Sequence, residues 1–290
     1  KIILRGDTMP KKLKFVKMQG CGNDYIYFDC FEQQIDDPEA LAVKLSDRHF
    51  GVGGDGVVLI CPSKLADVKM RMFNIDGSEG KMCGNAIRCV GKYMHDVRGL
   101  DKDVVTVETL SGIKTLKLIV KDGVAVGAEV DMGKAELDPK KIPVALDGET
   151  VIDRPVKIGG GEYRITCVST GNPHCVVFGG DPAELDLPAI GPTFESDPLF
   201  PERVNTEFIE VIDDHTLKMR VWERGSGETL ACGTGSCAAV VAAVLNGYCK
   251  RGEAVRVILV GGELVIRYTE DGSIFMTGGA EIAFEGSVVI

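Results

Sequence analysis

The sequence writes one pattern twice, and a chain built that way is expected to fold as two related units. Residues 70–88 (MRMFNIDGSEGKMCGNAIR) and 219–237 (MRVWERGSGETLACGTGSC) both start with Met-Arg and both reach Cys-Gly thirteen residues later. A second match follows. Residues 104–118 (VVTVETLSGIKTLKL) and 255–268 (VRVILVGGELVIRY) each place two β-rich runs around a turn, at Gly112 and at Gly261-Gly262. Earlier still, residues 15–29 (FVKMQGCGNDYIYFD) and 164–178 (RITCVSTGNPHCVVF) share a plan of strand, Gly-Asn turn and strand. The length of 290 residues leaves room for two domains at roughly 150 residues each. The pattern weakens in the Pro- and Asp-rich stretch 131–153, which predicts a first domain over 9–130 and a second over 131–290. The last strand, about 279–290, is a candidate to pack back on the first domain.

Short runs rich in β-branched residues predict strands at 57–60, 68–73, 104–108, 114–120 and 124–130. The second half predicts them at 163–168, 174–178, 205–212, 217–222, 254–259, 263–268 and 273–277. Helical spacing of apolar residues predicts helices at 38–50 and 85–95. The run 236–245 is Ala- and Val-rich on every side, so its helix should be deeply buried. The expected class is α+β: two similar strand-dominated domains, each holding one buried helix, with the active site in the cleft between them.

Composition narrows the function. Apolar residues at 44% and charged residues at 26% exclude a disordered chain. The net charge of −10 argues against a nucleic-acid partner, which needs clustered Lys and Arg. No apolar run reaches the roughly 18 residues of a membrane helix. No export signal is visible; Met9 is a plausible start of the protein proper, with residues 1–8 either an expression-tag remnant or an upstream extension. The ten cysteines contain no C-x-x-C pair and lie mostly in apolar runs. A reduced, cytoplasmic chain without a structural metal is therefore expected, with most thiols (Cys30, Cys61, Cys89, Cys167, Cys175 and Cys249) packed as small hydrophobes. The stretch 51–56, GVGGDG, fits G-x-G-x-x-G, but it leads into a strand rather than a helix, so a dinucleotide reading is weak.

Cys83 and Cys232 are different. Each stands at a predicted helix start, where unpaired N–H groups and partial positive charge are expected to lower a thiol pKa. The same N–H groups bind carboxylates, and Gly84, Gly233 and Gly235 let a ligand approach the backbone. Pseudo-symmetry would set the two sulfurs face to face across the cleft. One thiolate could then remove a proton from a carbon beside the carboxylate while a thiol on the other face returns one. That inverts a stereocentre without a cofactor.

At these residues the sequence resembles the diaminopimelate epimerases, amino-acid epimerases that work without pyridoxal phosphate. The resemblance runs from about residue 14 to the end and rests on GCGNDY (20–25), FNIDGSEGKMCGNAIRC (73–89), TGNPH (170–174), RVNTEF (203–208) and ERGSGETLACGTGSCA (223–238). It implies two domains, each a β-sheet wrapped around a central helix, a homodimer, no cofactor, and interconversion of LL- and meso-diaminopimelate on the route to lysine and peptidoglycan precursors. By motif, Cys83 and Cys232 match the acid/base thiols. Asn23, Asn74, Asn172, Asn205, Glu223 and Arg224 match substrate-binding positions. The backbone N–H groups of Gly84, Asn85, Gly233 and Thr234 match a carboxylate clamp, and His174 and Glu223 match polar supports of the thiols. The substrate has an amino-acid head at each end; Arg224 can grip a carboxylate and Glu223 an ammonium.

Two departures stand out. Gly56 follows Asp55 where some members carry a Gln that touches substrate, and Cys21 occupies the GCGNDY turn. The competing readings are a sister racemase of the same fold acting on histidine, proline or hydroxyproline and, in a different class, a thiol-redox or metal-binding module.

Overall fold

The computed structural model describes residues 11–290; Met9 and the stretch 1–8 lie outside the described residues. The first half runs β1 (Lys12–Gly20), β2 (Asn23–Asp29), α1 (Pro38–Ser46), β3 (Gly56–Cys61), β4 (Val68–Asn74), β5 (Glu79–Gly80), α2 (Gly84–Asp96), β6 (Val104–Thr109), β7 (Gly112–Lys121) and β8 (Val124–Lys134). The second runs β9 (Arg154–Ile158), β10 (Gly161–Ser169), β11 (Pro173–Gly179), α3 (Leu187–Glu195), β12 (Asn205–Asp213), β13 (Thr216–Glu223), β14 (Gly227–Thr229), α4 (Gly233–Leu245), β15 (Ala254–Leu259), β16 (Gly262–Tyr268), β17 (Ser273–Gly279) and β18 (Glu281–Val289). The class is α+β, and the repeat is real in three dimensions. β2 pairs parallel with β3 as β11 does with β12, and β4 pairs parallel with β6 as β13 does with β15. Among the described residues no helix is long and apolar enough to cross a membrane.

The two halves join through backbone. β8 pairs antiparallel with β17, its structural counterpart, from Lys134↔Ser273 to Gly127↔Gly279. β9 pairs with β10 at the outer edge of the second half. The equivalent place beside β1 is filled by β18, which returns from the end of the chain. β8 itself continues to Lys134, past the start of the stretch in which the pattern weakens.

Each half wraps its strands around one helix. The apolar residues of α2 (Ala86, Ile87, Cys89, Val90) and α4 (Cys237 to Ala243) share one core with inward-facing strand residues of both halves. α4 can be buried all round because Ala and Val expose no polar atom and leave room for strands on every side. α1 and α3 instead lie outside the sheets, each over its own smaller core: Phe28, Leu41, Leu45 and Phe73 under α1, and Leu187, Phe194 and Phe208 under α3. α1 starts cleanly, with Asp37 accepting from the Ala40 N–H at 2.9 Å and Pro38 in the first turn.

The long helices carry a pH signature. Cys89 and Cys237 are fully buried, and burial pushes their thiols up to about 11 and about 12. Unfolded, a thiol ionises near 8.5. Because the folded values are raised, this contribution is fully present below about pH 8.5 and is lost as pH climbs through about 11 to 12. Urea unfolding under reductant should show a midpoint that starts to fall at about pH 8.5. A midpoint level up to about pH 11 would contradict this.

Candidate active site

Cys83 is the N-cap of α2 and Cys232 the N-cap of α4, both with extended backbone. The Ala86 N–H donates to the Cys83 sulfur at 3.5 Å, and the Gly235 N–H donates to the Cys232 sulfur at 3.3 Å. Helix starts ordinarily take Ser, Thr, Asp or Asn, whose oxygens are stronger acceptors. A sulfur at both equivalent positions gives up capping strength, so something other than helix stability holds it there. Both thiols are free; Cys232 is buried and Cys83 half-buried.

The two helix starts converge. Met276 of β17 lies between them: a Cβ placed on Gly84 would meet its Cε at 2.4 Å, and one on Gly233 its Sδ at 3.1 Å. The same Gly233 position lies 3.8 Å from the Asn85 Oδ1. Glycine at 84 and 233 thus permits a close approach that side chains would block.

The charged groups around the sulfurs reverse one expectation. Burial, foremost, pushes the Cys83 thiol up, the Ala86 and Asn85 N–H groups pull it down, and the Glu223 charge raises it further; the net direction is upward. Cys232 is pushed well above the ordinary thiol range by burial, then by Glu223 and Glu207, against the pull of Thr234 and the Gly235 N–H. The helix start acts in the predicted sense, but desolvation and two carboxylates outweigh it. Of the two, Cys83 is the less strongly raised. Burial also raises the half-buried Glu223, which receives a short hydrogen bond from the Thr229 hydroxyl.

Some of the other sequence-predicted residues gather on two sides of the site, and the rest stand apart. Asn23, Cys83 and Asp55 form a chain: the Cys83 thiol donates to Asn23 Oδ1 at 3.3 Å, and Asn23 Nδ2 donates to Asp55 Oδ2 at 2.7 Å. On the other side, His174 Nε2 contacts Asn172 Oδ1 at 3.0 Å, and Thr170 donates to the Thr234 carbonyl at 3.2 Å, joining the TGNPH loop to the start of α4. Asn205 is a strut: its Nδ2 donates to the Pro173 carbonyl at 2.8 Å and its Oδ1 accepts from the Arg224 N–H at 3.0 Å. Asn74 donates to the Ser78 hydroxyl across the turn before β5. The Asn85 side chain accepts from Arg88 through its Oδ1 at 3.0 Å. Arg224 is exposed and donates to the Glu202 carbonyl at 2.8 Å.

Three residues escaped the sequence reading. Glu207 is fully buried, and its Oε1 lies 2.7 Å from His174 Nδ1. Only the parallel register of β11 and β12 brings the two together. The same carboxylate oxygen lies 2.5 Å from where a Cβ on Gly235 would stand, which explains the second glycine of CGTG. Arg88 is fully buried without a carboxylate among the described residues. It donates instead to the Gly84 and Gly279 carbonyls and to Asn85 Oδ1, each at 3.0 Å. A buried guanidinium satisfied by neutral acceptors leaves net positive charge beneath the start of α2. Met276 was the third. No local pattern marks these residues; an Arg on a helix or a Glu in a strand ordinarily reads as solvated. The Gly56 departure also has a cause: its φ is +154°, and a Cβ would lie 2.1 Å from the Phe73 carbonyl oxygen.

This geometry can be set beside known proteins. The sequence profile of the diaminopimelate epimerases matches residues 15–137 and 166–283. The chain belongs to the diaminopimelate epimerase family. A diaminopimelate epimerase of Acetivibrio thermocellus is 56% identical over 277 residues, covering 95% of this chain and 98% of that one. One from Desulfovibrio desulfuricans is 55% identical, covering 97% and 100%. Among solved structures, a hydroxyproline epimerase from Agrobacterium vitis superposes with a TM-score of 0.72 at 14% identity, over 98% of this chain and 93% of that one. A methylitaconate Δ-isomerase gives 0.66 at 16% identity, over 98% and 96%. At such identities these structures speak to fold alone, and the fold they share is that of the diaminopimelate epimerases.

Proposed function

We propose that this chain is an isomerase that converts LL-2,6-diaminopimelate to its meso form by two-thiol proton transfer at the α-carbon, on the route to lysine and peptidoglycan precursors. The observation that carries the mechanism is the pair of capping cysteines at two converging helix starts, in a chain of this family. The reacting carboxylate lies against the N–H groups of Gly84 and Asn85 on one side and Gly233 and Thr234 on the other. One sulfur, as thiolate, takes the α-proton. The electron pair left on carbon is delocalised into the carboxylate, where helix N–H groups and the buried Arg88 charge stabilise it. The opposite thiol returns a proton to the other face, which inverts the centre and leaves the proton count unchanged.

Arg224 and Glu223 hold the distal head, with Asn23, Asn74, Asn172 and Asn205 shaping the pocket and His174 supporting the Cys232 side. Arg224→Ala should raise KM roughly 10- to 100-fold, the loss of a charge-assisted hydrogen bond to carboxylate. A KM unchanged in steady-state assays would remove Arg224 from the site. The direct test of the function is α-carbon exchange. Reduced protein with LL-diaminopimelate in deuterated water, and no added cofactor, should give meso product carrying one deuterium at the inverted centre; folded protein that leaves the α-proton in place refutes the assignment.

The reading extends to the whole assembly. The domains are 9–130 and 131–290, with β18 completing the first, and the active protein is a homodimer, testable by sedimentation equilibrium. Ten free thiols fit a reducing compartment, hence the cytoplasm.

A further inference from the structure

Cys30 and Cys61 lie apart from the reaction centre and side by side. β2 and β3 run parallel with Asp29 opposite Ile60, so the next residues, Cys30 and Cys61, are opposite each other. The Cys30 N–H donates to the Ile60 carbonyl at 2.8 Å, which carries the pairing one step past the end of β2. Neighbouring strands stand about 4.8 Å apart, within the Cα separation of about 4.4–6.8 Å that a disulfide spans. Both side chains are half-exposed and line one surface cleft of about 510 Å3, together with Phe31, Gln33, Pro62 and Arg71. The other facing pair, Cys167 and Cys175, is equally close in register but buried, so it lacks this access to solvent.

We propose that Cys30 and Cys61 form a thiol–disulfide exchange site that takes low-molecular-weight disulfides and closes to an intramolecular disulfide. The pair is asymmetric in the way such a site requires. The Cys61 thiol is held below its ordinary value, first by hydrogen bonding from Cys30 and then by the charges of Arg71 and Lys69, against the effect of burial. Cys30 is pushed up by that same contact and by burial. Cys61 also stands opposite Lys69 of β4 and shares its cleft with Arg71, two cations that favour its thiolate, so Cys61 is the attacking sulfur and Cys30 the resolving one. The Cys61 thiolate attacks one sulfur of the incoming disulfide; a Cys61–S bond forms, the old S–S bond breaks, and one thiolate leaves. Cys30 then gives its proton to solvent and attacks the Cys61 sulfur, releasing the second thiolate. The protein loses two electrons and the small disulfide gains them.

The probe is oxidised glutathione, followed by alkylation of the remaining thiols and peptide mapping by mass spectrometry. Wild-type protein should yield a cross-linked pair of peptides bearing Cys30 and Cys61. Cys30→Ser should stop at a glutathione adduct on Cys61, and Cys61→Ser should give neither product. Both variants should keep wild-type epimerase activity when reduced, because neither residue belongs to the reaction centre. Cys61 recovered as free thiol from exposed wild type overturns the proposal, as does an adduct on Cys30 that survives Cys61→Ser.

Discussion

Alanine at Cys83 or at Cys232 is expected to lower epimerase turnover by about 10²- to 10⁴-fold, the contribution of a positioned acid or base. Neither loss rescues the other, since each sulfur serves one face of the reacting carbon. Alanine also removes an N-cap, which by itself costs about 0.5–2 kcal/mol, so a fall in activity could follow from a frayed helix. Serine separates the two causes. Its hydroxyl caps a helix better than a thiol does, yet it is a far weaker acid and a poor base. Cys83→Ser and Cys232→Ser should therefore match or exceed the wild-type melting temperature while turnover stays as low as in the alanine variants. Serine variants that regain activity along with stability would mean that the sulfurs are only caps.

The second large effect is at a residue with no assigned role in the reaction. Glu207→Ala should destabilise the protein by about 3–5 kcal/mol, the cost of breaking a buried pair and stranding its partner. His174 and Glu207 are both fully buried, and His174 would lose its contact at Nδ1. Glu207→Gln keeps the shape and an oxygen for His174, and should lose much less. Gly235 supplies an internal control, because a Cβ there collides with Glu207 Oε1 in the wild type. Gly235→Ala should thus be costly alone and much less costly in the Glu207→Ala background, where only the 3.2 Å approach to Cys232 Cβ remains, a coupling that a double-mutant cycle in urea measures directly. Additive effects would show that the carboxylate and the glycine are not in contact.

Much of the fold was legible because its signals are local. Runs rich in β-branched residues located twelve strands, and the Ala- and Val-rich run after Cys232 announced a helix buried on all sides. α3 was hidden: its sequence LPAIGPTFE has Pro188 in the first turn and Pro192 inside the helix. The element persists because Asp186 caps it and Gly191 lets its backbone press against the Trp222 ring, 2.2 Å from a would-be Cβ. The short strands β5, β9 and β14 were also unmarked, being too brief for a period to show.

What the sequence determined by itself was the duplicated plan, the two helix starts and the cysteines that cap them, because a cap, a turn and a hydrophobic period each act over a few residues. Tertiary structure decided the rest. It chose β1 as the partner of the returning β18, brought Glu207 to His174 across a parallel register, buried Arg88 beneath the start of α2, and turned the thiol pKa shift upward. These depend on which distant groups share a low-dielectric interior. Burial and long-range charge are properties of the packed assembly, and no window of sequence contains them.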